Sequence, residues 1–461
     1  MTLKQYGKRW ISAVLAAGIL LGITGCRTEG DAVSGSSLLS TPDADLSSES
    51  PLRPYEGETL TYAIGEMSSE TQAVVEMVEE KTGIKINCEN LASNVDGEID
   101  SAMARMLSGY EIDIYYEAEP NMKKFYNAAL ITPLEDLAEQ ANYDMESIHG
   151  EYLPVFGDQV YGLPAFIDIW LTLYNKQLFD AENLPYPSAE GWTWEKYLET
   201  AQQLTDLSKG QYGSLMLDYN TYNYMYAEQC GVSHYKEDGT SNYDDPVFAK
   251  GLQFFYDLGN RYQVQPSLVE FKAKQMSWDE FFTTGKYGMF VAGGWALNMV
   301  TDREKYPREW KMGILPMPYP EGQQPSTLTT IGCYFIPVTS KKQQAAFAAI
   351  SCMAMYQYTL GAGRIPARTD LSREDLSDYI QNSLAAPFEE DGITAEDFET
   401  AWFDPDRLHY NEKVSGKGDL AINQIWIEEG MDYANSKQTL EQTMQNIKRR
   451  SDQAIEEDVG I

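Results

Sequence analysis

From Tyr161 to Tyr174 the chain reads YGLPAFIDIWLTLY, and beyond the turn signalled by Gly162 and Pro164 almost every position is apolar or aromatic. A strand with one wet face alternates polar and apolar residues, so an unbroken run of this kind predicts a strand buried on both faces. Residues 175–187 then carry a short helical pattern through Leu178 and Phe179, closed by Pro185 and Pro187. Thr193 is a candidate N-cap for an amphipathic helix with Tyr197, Leu198, Ala201 and Leu204 at helical spacing.

The chain before this stretch has a regular theme. Leu60, Tyr62 and Ile64 alternate as a strand, and Val74, Val75 and Val78 follow at helix spacing up to a stop at Gly83. Ile84 and Ile86 open a second strand, Ile99, Met103, Met106 and Leu107 mark a second helix ending near Gly109, and Ile112 and Ile114 mark a third strand. Strands alternating with helices imply parallel pairing through right-handed crossovers, an α/β lobe. Ligands of such sheets sit beyond the carboxyl ends of the strands, which here means the loops at residues 65–69 and 115–119.

With 461 residues the chain is too long for one ordinary core, and two lobes of roughly 150 to 250 residues are expected. Seventy acidic against 35 basic residues give a formal charge of −35, which disfavours nucleic acid and anionic membrane surfaces as partners. Five cysteines without a Cys-x-x-Cys pair, and only three histidines, give no zinc pattern. Cys88, Cys230, Cys333 and Cys352 are expected to be mostly buried free thiols.

Residues 1–25 have a basic start (Lys4, Lys8, Arg9), an apolar run over 11–23 and small residues at the end, the pattern of a secretory signal. The run is too short to span a bilayer comfortably. Ile23-Thr24-Gly25-Cys26 matches the bacterial lipobox, so Cys26 is expected to carry a lipid after cleavage. Residues 27–56 hold seven serines and no hydrophobic period, and read as a flexible tether.

Further along, Tyr219, Asn220, Tyr222, Asn223, Tyr224 and Tyr226 form a dense aromatic and amide run; if it is helical, Tyr222 and Tyr226 share a face. Tyrosine offers a flat apolar face and a hydroxyl, and asparagine both donates and accepts, the mixture a sugar needs. Some of these tyrosines would equally serve as ordinary core. Pro246 opens a helix with Phe248, Leu252, Phe255 and Leu258. Residues 313–318 read as an extended loop, 331–338 as a strand, and the chain from Trp402 through Trp426 and Thr439 as helices. The sequence contains no nucleophile elbow, phosphate loop, zinc-helix, EF-hand or dinucleotide motif.

Tyr161-Gly162-Leu163-Pro164, Tyr174-Asn175-Lys176, Thr193-Trp194, Leu204-Thr205, then Gly285-Lys286, Gly293-Gly294-Trp295 and Pro366-Ala367-Arg368 occur in this order. The order closely resembles that of the family 1 solute-binding proteins, the extracellular sugar-binding proteins of bacterial ABC importers. The resemblance covers residues 58–460 and is thin between Asp370 and Trp426.

The resemblance implies a two-lobed α/β fold of the periplasmic-binding-protein type II class, with an interlobe cleft and a hinge of crossing strands near residues 164–169 and 329–337. The expected division is a signal peptide over 1–25, a tether over 26–56, lobe 1 from 57–165 with 328–365, and lobe 2 from 166–327 with 366–461. It implies a monomeric, lipid-anchored receptor facing outside the cell membrane. This receptor would capture a carbohydrate, an oligosaccharide by expectation, and deliver it to an ABC permease served by a separate ATPase. No enzymatic activity, cofactor, metal or nucleic acid is expected. By position in the pattern, Trp295, Trp170, Tyr222 and Tyr224 are candidate stacking residues, Asp168, Asn223 and Glu66 candidate hydroxyl partners, Gly294 a close backbone approach and Tyr334 a hinge-side contact. Asp168 could instead cap a nearby turn. Two alternatives stay open: a secreted glycoside hydrolase, since two carboxylates about 5 to 9 Å apart suffice for that chemistry, and a non-transporting carbohydrate sensor or adhesin.

Overall fold

A computed structural model describes residues 54–65, 67–91, 95–216, 219–360, 363–404 and 406–458. The signal segment, Cys26, the tether and Glu66 lie outside them. Thirteen strands are described: β1 (Thr59–Ile64), β2 (Lys85–Asn90), β3 (Ile114–Ala118), β4 (Val155–Phe156), β5 (Gln159–Val160), β6 (Leu163–Ile169), β7 (Leu171–Asn175), β8 (Tyr212–Ser214), β9 (Tyr287–Ala292), β10 (Met312–Pro316), β11 (Ser326–Phe335), β12 (Ile365–Pro366) and β13 (Leu408–Asn411).

The opening strand–helix alternation is present as read. β1 pairs in parallel with β2 and β3. The helix Ser69–Thr82 between β1 and β2 is capped by Ser68, whose hydroxyl accepts from the Thr71 amide, and it stops at Gly83 with φ 72°. That left-handed position suits glycine, which has no Cβ to clash. The sheet runs β12-β6-β11-β3-β1-β2, with β13 added in parallel on β11. The alanine-rich helix Gln343–Tyr356 lies close on it, its Ala345, Ala346, Ala349 and Ala354 fully buried. This is the first lobe. A second sheet, β10-β7-β9-β8, with the helices Trp194–Leu204, Pro246–Asn260, Asp419–Ala434 and Leu440–Glu457, builds the second.

Several elements differ from the reading. The apolar run at 161–174 is not one strand but two: β6 belongs to the first sheet and β7 to the second, with Trp170 between them. Both strands are buried throughout, so composition carries no mark of the change of sheet. Residues 313–318, read as a loop, are mostly β10, paired antiparallel with β7; Pro316 sits at the end of the strand, where a missing N–H is tolerated. The strand expected at 331–338 starts earlier, at Ser326. The tyrosine run is a short 3-10 turn, Asn220–Asn223, followed by the helix Met225–Gln229, with Tyr224 at the junction. Cys88, Cys230, Cys333 and Cys352 are all free thiols, and the last two are buried. No described helix is long and apolar enough to cross a membrane.

Candidate functional site

The chain passes between the sheets where β6 hands over to β7 and where β11 begins. β11 is buried at both ends but half-exposed at Thr329, Thr330 and Ile331. These three positions lie beyond the pairing with β3, which starts at Gly332, and between the strands β6 and β13. Around these positions the structure gathers side chains from segments far apart in sequence.

One wall is a continuous aromatic row. Trp170, fully buried behind the crossing, packs on Tyr219 with ring centres 5.8 Å apart. Tyr219 meets Trp278 edge to face at 5.7 Å, and Trp278 lies 5.3 Å from Trp295 at an interplanar angle of 34°. Trp278 and Trp295 are half-buried, so the row runs from the core to the solvent side. Glu412, just beyond β13, holds the inner end. One of its oxygens accepts from the Trp170 indole N–H at 3.1 Å and the other from the Tyr219 hydroxyl, while its own amide donates to the Thr329 carbonyl of β11. The Lys413 ammonium sits 3.9 Å over the Tyr219 ring and donates to Asn220 Oδ1 at 2.6 Å.

The outer end is fixed by the turn after β9. The Trp295 amide donates to Asp168 Oδ2 at 3.1 Å. A Cβ on Gly293 would lie 2.6 Å from the Trp295 ring and 2.9 Å from Asp168 Oδ1; one on Gly294 would lie 2.7 Å from the Gly363 carbonyl. Only glycine lets these three segments approach so closely.

Asp168, 3% exposed, is pushed up to about 7, chiefly by burial. The Arg364 guanidinium, 3.5 Å away, works against the shift, the charge of Glu412 adds to it, and the Gly294 and Trp295 amides oppose it. Arg364 lies on the Phe166 ring at 3.9 Å and makes a two-pronged pair with Glu70, both contacts at 3.1 Å. On the far side of the first sheet, Glu117 accepts from the Ala118 amide and Asn121. Burial raises the carboxyls of Glu117 and Glu119, and nearby Asp419 adds to the shift at Glu119. Among the described residues no cluster of His, Cys, Asp and Glu could hold a metal.

Of the residues singled out from sequence, Trp295, Asp168 and Gly294 come together here, with Trp170 behind them. Tyr222 is buried, donates to the Val291 carbonyl at 2.5 Å and packs on Phe255. Tyr224 is fully buried against Trp426 and donates to Asn423. Asn223 is 4% exposed, behind the same turn. Tyr334 lies in the first lobe between Tyr62 and Tyr116 and donates to Gln357 at 2.7 Å. Glu66 lies outside the described residues. Trp278, Glu412, Lys413, Arg364 and Glu70 were not singled out. A tryptophan within the polar stretch 275–280 was a usable signal for Trp278, whereas nothing local marks Glu412.

A profile of bacterial extracellular solute-binding proteins matches residues 73–387. The chain belongs to this family. The fold of this solute-binding protein is that of an ABC substrate-binding protein from Listeria monocytogenes in complex with cycloalternan, at TM-score 0.71 and 18% identity over 87% of this chain and 99% of that one. It is also that of a maltose-bound MalE3 from T. maritima, at TM-score 0.66 and 16% identity over 85% and 98%. An arabinooligosaccharide-binding protein of Halalkalibacterium halodurans is 26% identical over 132 residues, 28% of this chain and 26% of that one. A putative binding protein of Brucella abortus is 21% identical over 242 residues, 51% and 56%. The matches thus span about half or less of the curated relatives' length. The family, and the neighbours in fold, are binding proteins.

Proposed function

We propose that this solute-binding protein is the receptor of an ABC importer for a carbohydrate, and that it binds its ligand without chemical change. The observation that carries this reading is the aromatic row, which ends in half-exposed Trp278 and Trp295 beside the crossing strands. Flat rings take the CH face of a sugar, and Asp168, whose Oδ2 accepts from the Trp295 amide, offers a partner for hydroxyls beside them. The relatives support the class of ligand, since cycloalternan, maltose and arabinooligosaccharides are all carbohydrates. The carboxylates nearest the row also support a binding role. Glu412 is engaged through both oxygens and Asp168 through Oδ2, an arrangement that orients rings.

Closure is the working step: a ligand that touches both lobes stabilises the closed form by its differential contacts, and the closed form is what a permease with a separate ATPase would recognise. We take the lobes to divide at 57–165 with 328–365 and 166–327 with 366–461, supported by β1 to β3 pairing in the first sheet and β7 to β10 in the second, while β6 as far as Ile169 and β13 also pair in the first sheet. The receptor acts as a monomer held to the membrane by a lipid on Cys26, following the lipobox. Cys26→Ser should release it into the soluble fraction, and retention in membranes would refute the anchor.

Thermal unfolding against mono- and oligosaccharides, with chromatography of each mixture afterwards, tests the reading. A ligand at a hundred times its Kd stabilises by about 2.7 kcal/mol. A shift with the sugar recovered intact is expected. A cleaved sugar would establish a hydrolase, and a flat panel would exclude carbohydrate.

A further inference from the structure

The first sheet has two faces, and each sends one side chain across to the second lobe. On one face Phe166 and Tyr334 share a core with the helices Ser69–Thr82 and Gln343–Tyr356. On the other, Tyr115, Cys333 and Phe335 share one with Met122 and Phe125 of the helix Glu119–Asn127. From the first face, Glu70 accepts from Asn298 Nδ2 at 2.7 Å, and Asn298 lies on the helix Ala296–Thr301 just after Trp295. From the second, the Lys123 ammonium donates to the Gly416 carbonyl at 2.5 Å and to Asp419 at 3.0 Å, at the start of the helix Asp419–Ala434. The strand crossings close the cleft along its back. The two contacts therefore bridge the lobes from opposite faces of the first sheet.

We propose that contacts between the lobes close the cleft at both ends, so that it takes a short carbohydrate whose two ends both lie inside and rejects a chain that runs out of the protein. The inference rests on the carbohydrate reading and adds a limit of length. Three features set it. Both contacts are sheltered: the side chains of Glu70 and Lys123 are 16% and 26% exposed, so solvent screens them less than a surface pair. Of the three half-buried rings of the row, Tyr219 has one face covered by Lys413, which also donates to Asn220, so Trp278 and Trp295 are the pair left for stacking. Two neighbouring rings 5.3 Å apart provide stacking for one or two sugar rings. A longer chain must break the Lys123 or the Asn298 contact to leave the cleft, and loses the energy of that contact on binding.

The test uses linear arabinose and maltose oligomers from two to six rings, titrated calorimetrically into the wild type and into Lys123→Met. In whichever series binds, affinity should fall by about tenfold or more from the best short member to the hexamer, and Lys123→Met should reduce that fall to less than about threefold. These factors correspond to roughly 1.4 and 0.6 kcal/mol. A wild type that binds the hexamer as tightly as the dimer overturns the length limit. Small-angle scattering without added sugar judges the contacts themselves: Lys123→Met combined with Asn298→Ala should increase the radius of gyration, with an unchanged far-ultraviolet spectrum showing that both lobes remain folded. An unchanged radius overturns the end contacts. If no oligomer of any length binds while the double variant still opens, the carbohydrate reading falls and the length limit with it. Full-strength hexamer binding removes the length limit alone.

Discussion

Two aromatic groups lie in or against the second lobe, one inside it and one facing the cleft. In the inner group Tyr224 packs on Trp426 at 5.7 Å, Trp426 on Tyr243 at 5.1 Å, and His234 joins Tyr243 to Glu228 through hydrogen bonds of 3.0 and 2.7 Å. In the cleft group Trp170, Tyr219, Trp278 and Trp295 follow one another at similar spacing. The side chains are of the same kinds. Tyr224, Tyr243 and Trp426 are buried, and the Tyr224 hydroxyl and both His234 ring nitrogens find partners within the lobe. The cleft rings are anchored through Glu412 beside the strand crossing and Asp168 on β6, and three of them, Tyr219, Trp278 and Trp295, are only half-buried. Aromatic density alone therefore does not separate the two groups; exposure and attachment at the strand crossing do.

The comparison predicts that the two groups fail differently. Trp426→Ala should cost about 3–5 kcal/mol of stability through the cavity it leaves, read by denaturant unfolding. Ligand affinity in the fraction that remains folded should be unaltered. A large affinity loss in that fraction would erase the distinction between the groups.

The next effect belongs to Asp168, whose carboxyl is held up to about 7 against an ordinary value of 3.8. Below the ordinary value it is protonated in both folded and unfolded chains and makes no difference between them. As pH rises from about 4 to 7 the unfolded chain gives up this proton and the folded chain keeps it, so folding is disfavoured progressively; above about 7 the penalty is complete. Asp168→Asn removes it. The stability of the variant relative to wild type, measured by urea unfolding at pH 4, 5.5 and 7.5, should rise by a few kcal/mol across that range. A constant difference would mean that Asp168 ionises normally.

Smaller again is Glu412→Ala. It leaves the buried Trp170 indole N–H and the Tyr219 hydroxyl without their acceptor, at about 1–3 kcal/mol for a buried donor left unpaired. Because Glu412 orients the cleft row, this loss should appear in both the melting curve and ligand affinity. A change in stability alone would make Glu412 part of the inner core in function.

The fold was legible where local pattern and tertiary role agree. The Thr193 cap accepts from the Lys196 amide, Gly83 ends its helix, and Pro246 opens one, because each of these is a backbone requirement written at a single position. The hand-over from β6 to β7 was not legible, since both strands are buried and nothing in their composition records which sheet they join. Of the candidate site, the grouping of Trp295, Asp168 and Gly294 was legible, because they sit on the glycine turn and the crossing strand. Tyr222 and Tyr224 carried the same chemistry, but the short 3-10 turn directs them inward. Glu412 gave no signal, because it follows a four-residue strand whose meaning comes from pairing with β11, 82 residues away in sequence.

The central claim is that Trp295 is a ligand platform and not core. Titration of the sugar that most stabilises the wild type into Trp295→Ala, by calorimetry and with the unfolding curve of each protein recorded alongside, tests it directly. The expected result is an affinity loss of about 1–3 kcal/mol, the range for a buried aromatic anchor, with both proteins folded at the temperature of the titration. Equal affinities would place the ligand elsewhere and contradict the account.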